Sequence, residues 1–248
     1  MKKITVRGLR FDSVTMSESV AFAALALEEN RTISVFTPNA EIAQLAAENK
    51  NILDLLNRAE LLLPDGAGIV LASEILQTPL AQKVAGVDFG SEIIGLAAQK
   101  GYPLFFLGGK PGVAALAAEK LQQQFPTLSI VGTHDGYFEK TGTENERILQ
   151  MINESGASIL FVCFGAPAQE IWIDSNKSRL PSVHLLAGLG GSLDIYAGIA
   201  KRAPSFFIRI RMEWLYRLIR EPKRFKRMLK LPKYIVGACK EKLLGKIL

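Results

Sequence analysis

The stretch Leu61-Leu62-Leu63-Pro64-Asp65-Gly66-Ala67-Gly68 decides how the chain is read. Its apolar run predicts a buried strand that stops at Pro64, and Ile69 to Leu76 predicts a helix. Asp65 then falls where a strand hands over to a helix. In open α/β sheets ligands bind at that carboxyl edge. Gly66 and Gly68 leave the backbone uncovered beside the carboxylate. The segment alone also allows a plainer role, because Asp is a favoured helix N-cap. A helix N-terminus would stabilise the anion and weaken it as a base, whereas desolvation would strengthen it.

The pattern repeats along the chain. Residues 3–7 predict a strand, and Ser17 to Glu29 a helix opened by Ser17. Ile33–Phe36 predicts a strand running into Thr37-Pro38-Asn39, with helices through Ile42, Leu45 and Ala46 and through Ile52, Leu55 and Leu56. Thr37 and Asn39 sit after their strand as Asp65 does, as ligands or as caps and turn formers. Asp88 reads as an N-cap. Leu104–Leu107 predicts a strand before the turn Gly108-Gly109-Lys110-Pro111-Gly112 and a helix to Gln124. Such a turn can lay N–H groups against a phosphate, although it matches neither a Walker loop nor GxGxxG.

Leu128–Gly132 predicts the next strand, Thr133 to Phe138 a loop, and 142–154 a helix. Ile159–Phe164 predicts a strand ending in Gly165-Ala166-Pro167-Ala168-Gln169-Glu170, where the Gln169 amide could read a base, a sugar or a phosphate oxygen. Val183–Ala187 leads into a second glycine turn, Gly188-Leu189-Gly190-Gly191. Asn39, Gly108, Gly109, Gly165, Gly190 and Gly191 are thus the candidate nucleotide contacts. This alternation of strand and helix predicts an α/β fold, a Rossmann-like, largely parallel sheet with helices on both faces.

Charge divides the chain. Of its 248 residues, 201–248 hold fifteen Lys or Arg against three acids, a balance of +12; residues 1–200 carry −6, giving +6 in all. This predicts a body over 1–200 and a basic helical appendage over 201–248. Ile208, Met212, Leu215 and Ile219 fall on one helical face and Arg209, Arg217 and Arg220 on another. Glu221-Pro222 should end that helix, a second should carry Lys223 to Lys230, and Pro232 should interrupt again. Basic amphipathic helices suit an anionic membrane surface. Nucleic acid competes as the polyanion, without a recognition signature, and a solvated tail or a dimer helix is the plain alternative.

Composition narrows the classes further. No run is long and apolar enough to span a bilayer, and the N-terminus lacks the apolar core of a signal peptide. The chain has two cysteines, Cys163 and Cys239, without metal-type spacing, which fits a reducing cytoplasm. His134 and His184 read as structural. No metal site is expected.

Six pieces in order, TPNAEI (37–42), LLLPDGAG (61–68), FFLGGKPG (105–112), FGAPAQE (164–170), GLGGSLDIYAG (188–198) and EWLYRLIREPKRFKR (213–227), together resemble the WecG/TagA/CpsF family of bacterial glycosyltransferases. The resemblance covers nearly the whole chain; Lys83 departs from it, where the family more often has Arg. It implies an inverting, metal-independent transferase on the inner face of the cell membrane, with no cofactor. The implied substrates are a UDP-sugar donor and a polyprenyl-diphosphate-linked N-acetylglucosamine acceptor. In the teichoic acid branch the sugar is N-acetylmannosamine in a β-1,4 bond; other members use N-acetylmannosaminuronic acid or glucose. By the same resemblance Asp65 is the base, Arg217 and Arg224 stabilise the leaving UDP, and Thr37 and Gln169 stand beside them. A membrane-tethered nucleotide-binding module is the non-enzymatic alternative. The donor sugar and any homo-oligomer stay open.

Overall fold

The computed structural model describes residues 1–209, 212–220, 225 and 229–245, apart from the side chains of 205, 208, 217 and 220. Six strands form one parallel sheet: β3 (Ile33–Phe36), β4 (Leu61–Leu62), β5 (Leu104–Gly108), β6 (Ile130–His134), β7 (Ile159–Cys163) and β8 (Leu185–Gly188). Their order is β4-β3-β8-β7-β5-β6, with Val35 opposite Leu61 and Ala187, and Phe106 opposite Phe161. Strands β3, β5, β7 and β8 are buried throughout, because both faces of a parallel sheet are covered by its crossover helices.

One face packs α2 (Ala40–Glu48), α3 (Lys50–Asn57), α4 (Ala67–Ile75), α7 (Gly142–Ser155) and α8 (Ala168–Asn176) around Phe36, Leu56, Phe105 and Trp172. The other packs α1 (Met16–Glu28), α5 (Gly86–Lys100), α6 (Val113–Gln124) and α9 (Ser192–Tyr196) around Phe89, Phe106, Phe161 and Leu193. Burying each such side chain contributes about 1.5–3 kcal/mol.

Strand β1 (Lys3–Val6) pairs with β2 (Leu9–Asp12), which the sequence reading omitted, in an antiparallel hairpin outside the main sheet. Buried Asp12 joins the two: its Oδ2 accepts from Leu62 N at 2.9 Å and Lys3 Nζ at 3.0 Å. An edge-strand donor that would otherwise be unpaired is thereby satisfied.

Several local expectations are corrected. Helix α1 is capped by Thr15, not Ser17, in a capping box with Glu18. Asp88 lies inside the first turn of α5, whose N-cap is Ala85. Strand β6 extends to His134, so Thr133 and His134 belong to the sheet. The helical face expected through Ile208 and Ile219 is divided between α10 (Ser205–Arg209) and α11 (Glu213–Arg220). The helix expected over 223–230 falls largely outside the described residues.

Pro232 does not interrupt a helix; it lies in the first turn of α12 (Lys230–Leu244), where no intrahelical N–H bond is lost. Helix α12 packs on α2 and α4, with Tyr234 and Ala238 fully buried in the main cluster. Arg7 stacks over the Tyr234 ring at 4.9 Å and donates to Gln44 Oε1 at 2.8 Å and Tyr234 O at 3.2 Å. The Arg7 guanidinium occupies the space that a side chain on Gly237 would need.

Candidate active site

Strands β3, β4 and β7 continue into helices on one face, whereas β8 and β5 continue into helices on the other. The connections therefore splay apart at the carboxyl edge, opening a crevice above β8. Gly188 ends β8 at its floor. From β3, Thr37 Oγ1 donates to Gly188 O at 3.4 Å. From α8, the Gln169 amide lies on Gly188, with Nε2 3.0 Å from where a Cβ would stand. Two residues 132 positions apart thus meet on one glycine.

Asp65 joins this group through α5. Helix α4 is N-capped by Gly66, which sits at φ +88°, so Asp65 is not its cap. Instead Asp65 Oδ2 accepts from Gly86 N, the first residue of α5, at 3.4 Å. A side chain on Gly86 would meet Thr37 Oγ1 at 2.6 Å. The carboxylate, the threonine and a helix N-terminus therefore share one small space.

In the glycine turns two N–H groups have partners within the protein. Gly109 N donates to Cys163 O at 3.0 Å and Gly190 N to Gln169 Oε1 at 2.9 Å, so these N–H groups are already engaged. A Cβ on Gly108 would overlap the Cys163 backbone, which keeps the ends of β5 and β7 in close contact. Gly165 O accepts from Gln169 N at 3.2 Å, and exposed Gly191 precedes α9. Asn39 caps α2, its Oδ1 accepting from Glu41 N at 2.9 Å and Ile42 N at 3.3 Å.

Helix α8 holds Gln169 and Glu170 rigidly. One turn on, Trp172 Nε1 donates to Asn145 Oδ1 at 2.7 Å, and Asn176 Nδ2 donates to Trp172 O at 2.9 Å. Glu170 is 1% exposed, and burial raises its carboxyl pKa to about 7 against the bond from Gln169. Burial likewise pushes the Cys163 thiol up to about 12, which leaves it inert.

Four charged residues bridge the body and the tail here. Arg202 holds both oxygens of Asp88. Burial works against the Arg202 charge, but Asp88, with Glu213 and Asp65 nearby, outweighs it and raises the pKa. Lys83 Nζ pairs with Glu213 Oε2 at 3.4 Å, at the start of α11. Arg202 and Glu213 were missed in the sequence; a lone acid opening a basic helix was the available signal. Arg217 lies on α11 with its side chain outside the described residues, and Arg224 lies outside them entirely. Among the described residues no three His, Cys, Asp or Glu gather as metal ligands, and no helix is long and apolar enough to cross a membrane.

Beyond Asp65, α4 borders an open apolar groove of about 600 Å³ lined by Ala67, Gly68, Leu71, Trp214, Leu229 and Val236. Leu71, Trp214, Leu229 and Val236 keep 36–53% of their surface exposed.

Comparison with known proteins places the chain in a family. The glycosyl transferase WecG/TagA/CpsF family model matches residues 4–247. An N-acetylglucosaminyldiphosphoundecaprenol N-acetyl-beta-D-mannosaminyltransferase of Bacillus spizizenii is 36% identical over 214 residues, covering 86% of this chain and 81% of its own. Proteins of the same name from Bacillus subtilis and Staphylococcus aureus (strain MW2) are 36% and 32% identical, over 84% and 97% of this chain and 79% and 93% of theirs. The chain belongs to the WecG/TagA/CpsF family of glycosyl transferases.

Proposed function

We propose that this protein transfers N-acetylmannosamine from a UDP-linked donor to a polyprenyl-diphosphate-linked N-acetylglucosamine, in the synthesis of a teichoic acid or related surface polymer. The observation that carries the reading is Asp65 at the strand end after β4, bonded to Gly86 N, beside Thr37 and within electrostatic reach of Arg202. The name of these relatives supplies the transferred sugar and the acceptor.

In this reading the donor lies at the carboxyl edge beside Asp65 and Thr37, next to the glycine turns that follow β5 and β8. Asp65 takes the proton of the acceptor hydroxyl as that oxygen attacks the anomeric carbon from the face opposite the diphosphate. The donor bond breaks and UDP leaves, inverting the anomeric centre. The bond from Gly86 N holds the Asp65 carboxylate in place at the start of α5. Thr37 and Gln169 line the crevice, and Arg217 and Arg224 supply cations for the departing diphosphate without a metal.

The acceptor is membrane-linked, so the enzyme works as a peripheral protein on the inner leaflet. Its basic 201–248 segment and the exposed apolar rim of Trp214, Leu229 and Val236 support that association. The test is a panel of UDP-sugars offered with a short-chain lipid-diphosphate N-acetylglucosamine acceptor. Transfer from UDP-N-acetylmannosamine in preference to the uronic acid or glucose donors is the expected result. Absence of transfer from every donor overturns the reading.

A further inference from the structure

Gln169 and Glu170 adjoin at the start of α8 and are 3% and 1% exposed. The Gln169 amide touches two groups that distinguish its ends. Its Oε1 accepts from Gly190 N at 2.9 Å, and its Nε2 donates to Glu170 Oε1 at 2.9 Å. The two ends of an amide have nearly the same shape but opposite hydrogen-bonding character. Turned by half a rotation, this amide would face the Gly190 N–H with a donor. Glu170 Oε1 opposes that rotation by accepting at the nitrogen end.

The other oxygen, Glu170 Oε2, is buried without a hydrogen-bond partner. A buried acid satisfied at one oxygen is an unfavourable way to fill space, so its contribution lies in what the satisfied oxygen holds. We propose that Glu170 is a positioning residue: its Oε1 sets the Gln169 amide, which in turn holds the Gly188–Gly191 turn at the floor of the crevice. The proposal rests on the reading that this crevice takes the sugar donor. Burial that favours the protonated acid is compatible with it, because a proton on Oε2 leaves Oε1 an acceptor.

The experiment compares Glu170→Leu, which fills the space without an acceptor, with Glu170→Gln, which keeps an amide oxygen for Gln169. Both are also made in a Gln169→Ala background. Sugar transfer and hydrogen exchange at the Gly190 amide are measured on each full-length protein. Glu170→Leu should lower kcat on the order of tenfold to a hundredfold, as misplacement at an active site does, and Gly190 should lose protection. Glu170→Gln should keep both near the parent level. In the Gln169→Ala background neither change at 170 should add a further loss.

Equal impairment of the Gln and Leu variants, or losses that multiply with Gln169→Ala, would overturn the proposal. So would unchanged Gly190 protection in a folded Leu variant. If Glu170→Leu does not fold, Glu170→Met, a flexible side chain that also lacks an acceptor for Gln169, makes the same comparison, and full transfer with unchanged Gly190 protection in it overturns the proposal. A parent protein without transfer, but with Gly190 exchange responding as described, counts against the transferase reading and supports the positioning role.

Discussion

Asp65 Oδ2 accepts a hydrogen bond from the backbone N–H of Gly86, 21 residues later, at 3.4 Å. The carboxylate after β4 is therefore oriented by the N-terminus of α5 and not by α4, the helix that follows it. Two consequences can be measured, one at each end of the bond.

Asp65→Asn should remove most turnover, on the order of a hundredfold to ten-thousandfold for loss of a general base. Binding of UDP, followed by calorimetry, should be nearly unchanged. Near-normal turnover would sink the assignment. Asp88 is a poor substitute base, because Arg202 holds both of its oxygens.

Gly86→Ala should lower turnover on the order of tenfold by pushing Thr37 off Gly188, an active-site displacement of the kind that costs up to about a hundredfold. The added Cβ would lie 2.6 Å from Thr37 Oγ1. Folding should survive, since Ala is favoured over Gly within helices by about 1 kcal/mol. Gly95→Ala in the same helix meets open space and serves as the control. Equal activity of the two variants would show that the Thr37 contact has no part in turnover.

Sugar transfer should persist in excess EDTA. Asp65 and Asp88 are engaged by protein donors, Asp65 by Gly86 N and Asp88 by Arg202. Activity lost on chelation and restored by magnesium would rule out the metal-free mechanism.

Glu170→Gln should stabilise the protein against heat, more so at pH 8 than at pH 4. Burial raises the folded-state pKa from 4.5 to about 7. The unfolded chain therefore releases this proton first, and stability falls as pH rises from about 4.5 to 7, then levels off. The difference between variant and parent should grow by at most about 3 kcal/mol over that window. A gap in melting temperature that stays constant between pH 4 and 8 would show that Glu170 ionises normally.

The appendage should divide into separable parts. Arg217→Ala with Arg224→Ala should reduce transfer strongly and vesicle binding only modestly, because many cations remain to attract an anionic surface. Binding to anionic vesicles should fall as salt rises. Tyr234→Ala should destabilise the fold by about 3–5 kcal/mol, as for other large buried rings. Deletion after 229 should likewise lower the melting temperature, since α12 covers α2 and α4. Vesicle sedimentation, transfer and thermal melts on these proteins make the comparison.

The six strands of the main sheet with their crossover helices, the polar residues at strand ends and the basic tail were legible in the sequence because each depends on neighbours a few residues apart. Apolar runs such as Leu104–Leu107 and Ile159–Phe164 can only be buried strands in an alternating chain, and polar residues following them must reach the carboxyl edge. Partners across the fold were not legible. Asp65 could cap α4 or meet another element, and packing of α5 beside β4 decided for Gly86. Pro232 reads locally as an interruption, yet α12 contains it because burial of Tyr234 and Ala238 against α2 and α4 stabilises that helix. Gln169 could be placed at the edge from its motif, but its bond to Gly190 required β8 to lie beside β7. Local alternation selects the elements; only burial and hydrogen bonding between distant segments select which side chains meet.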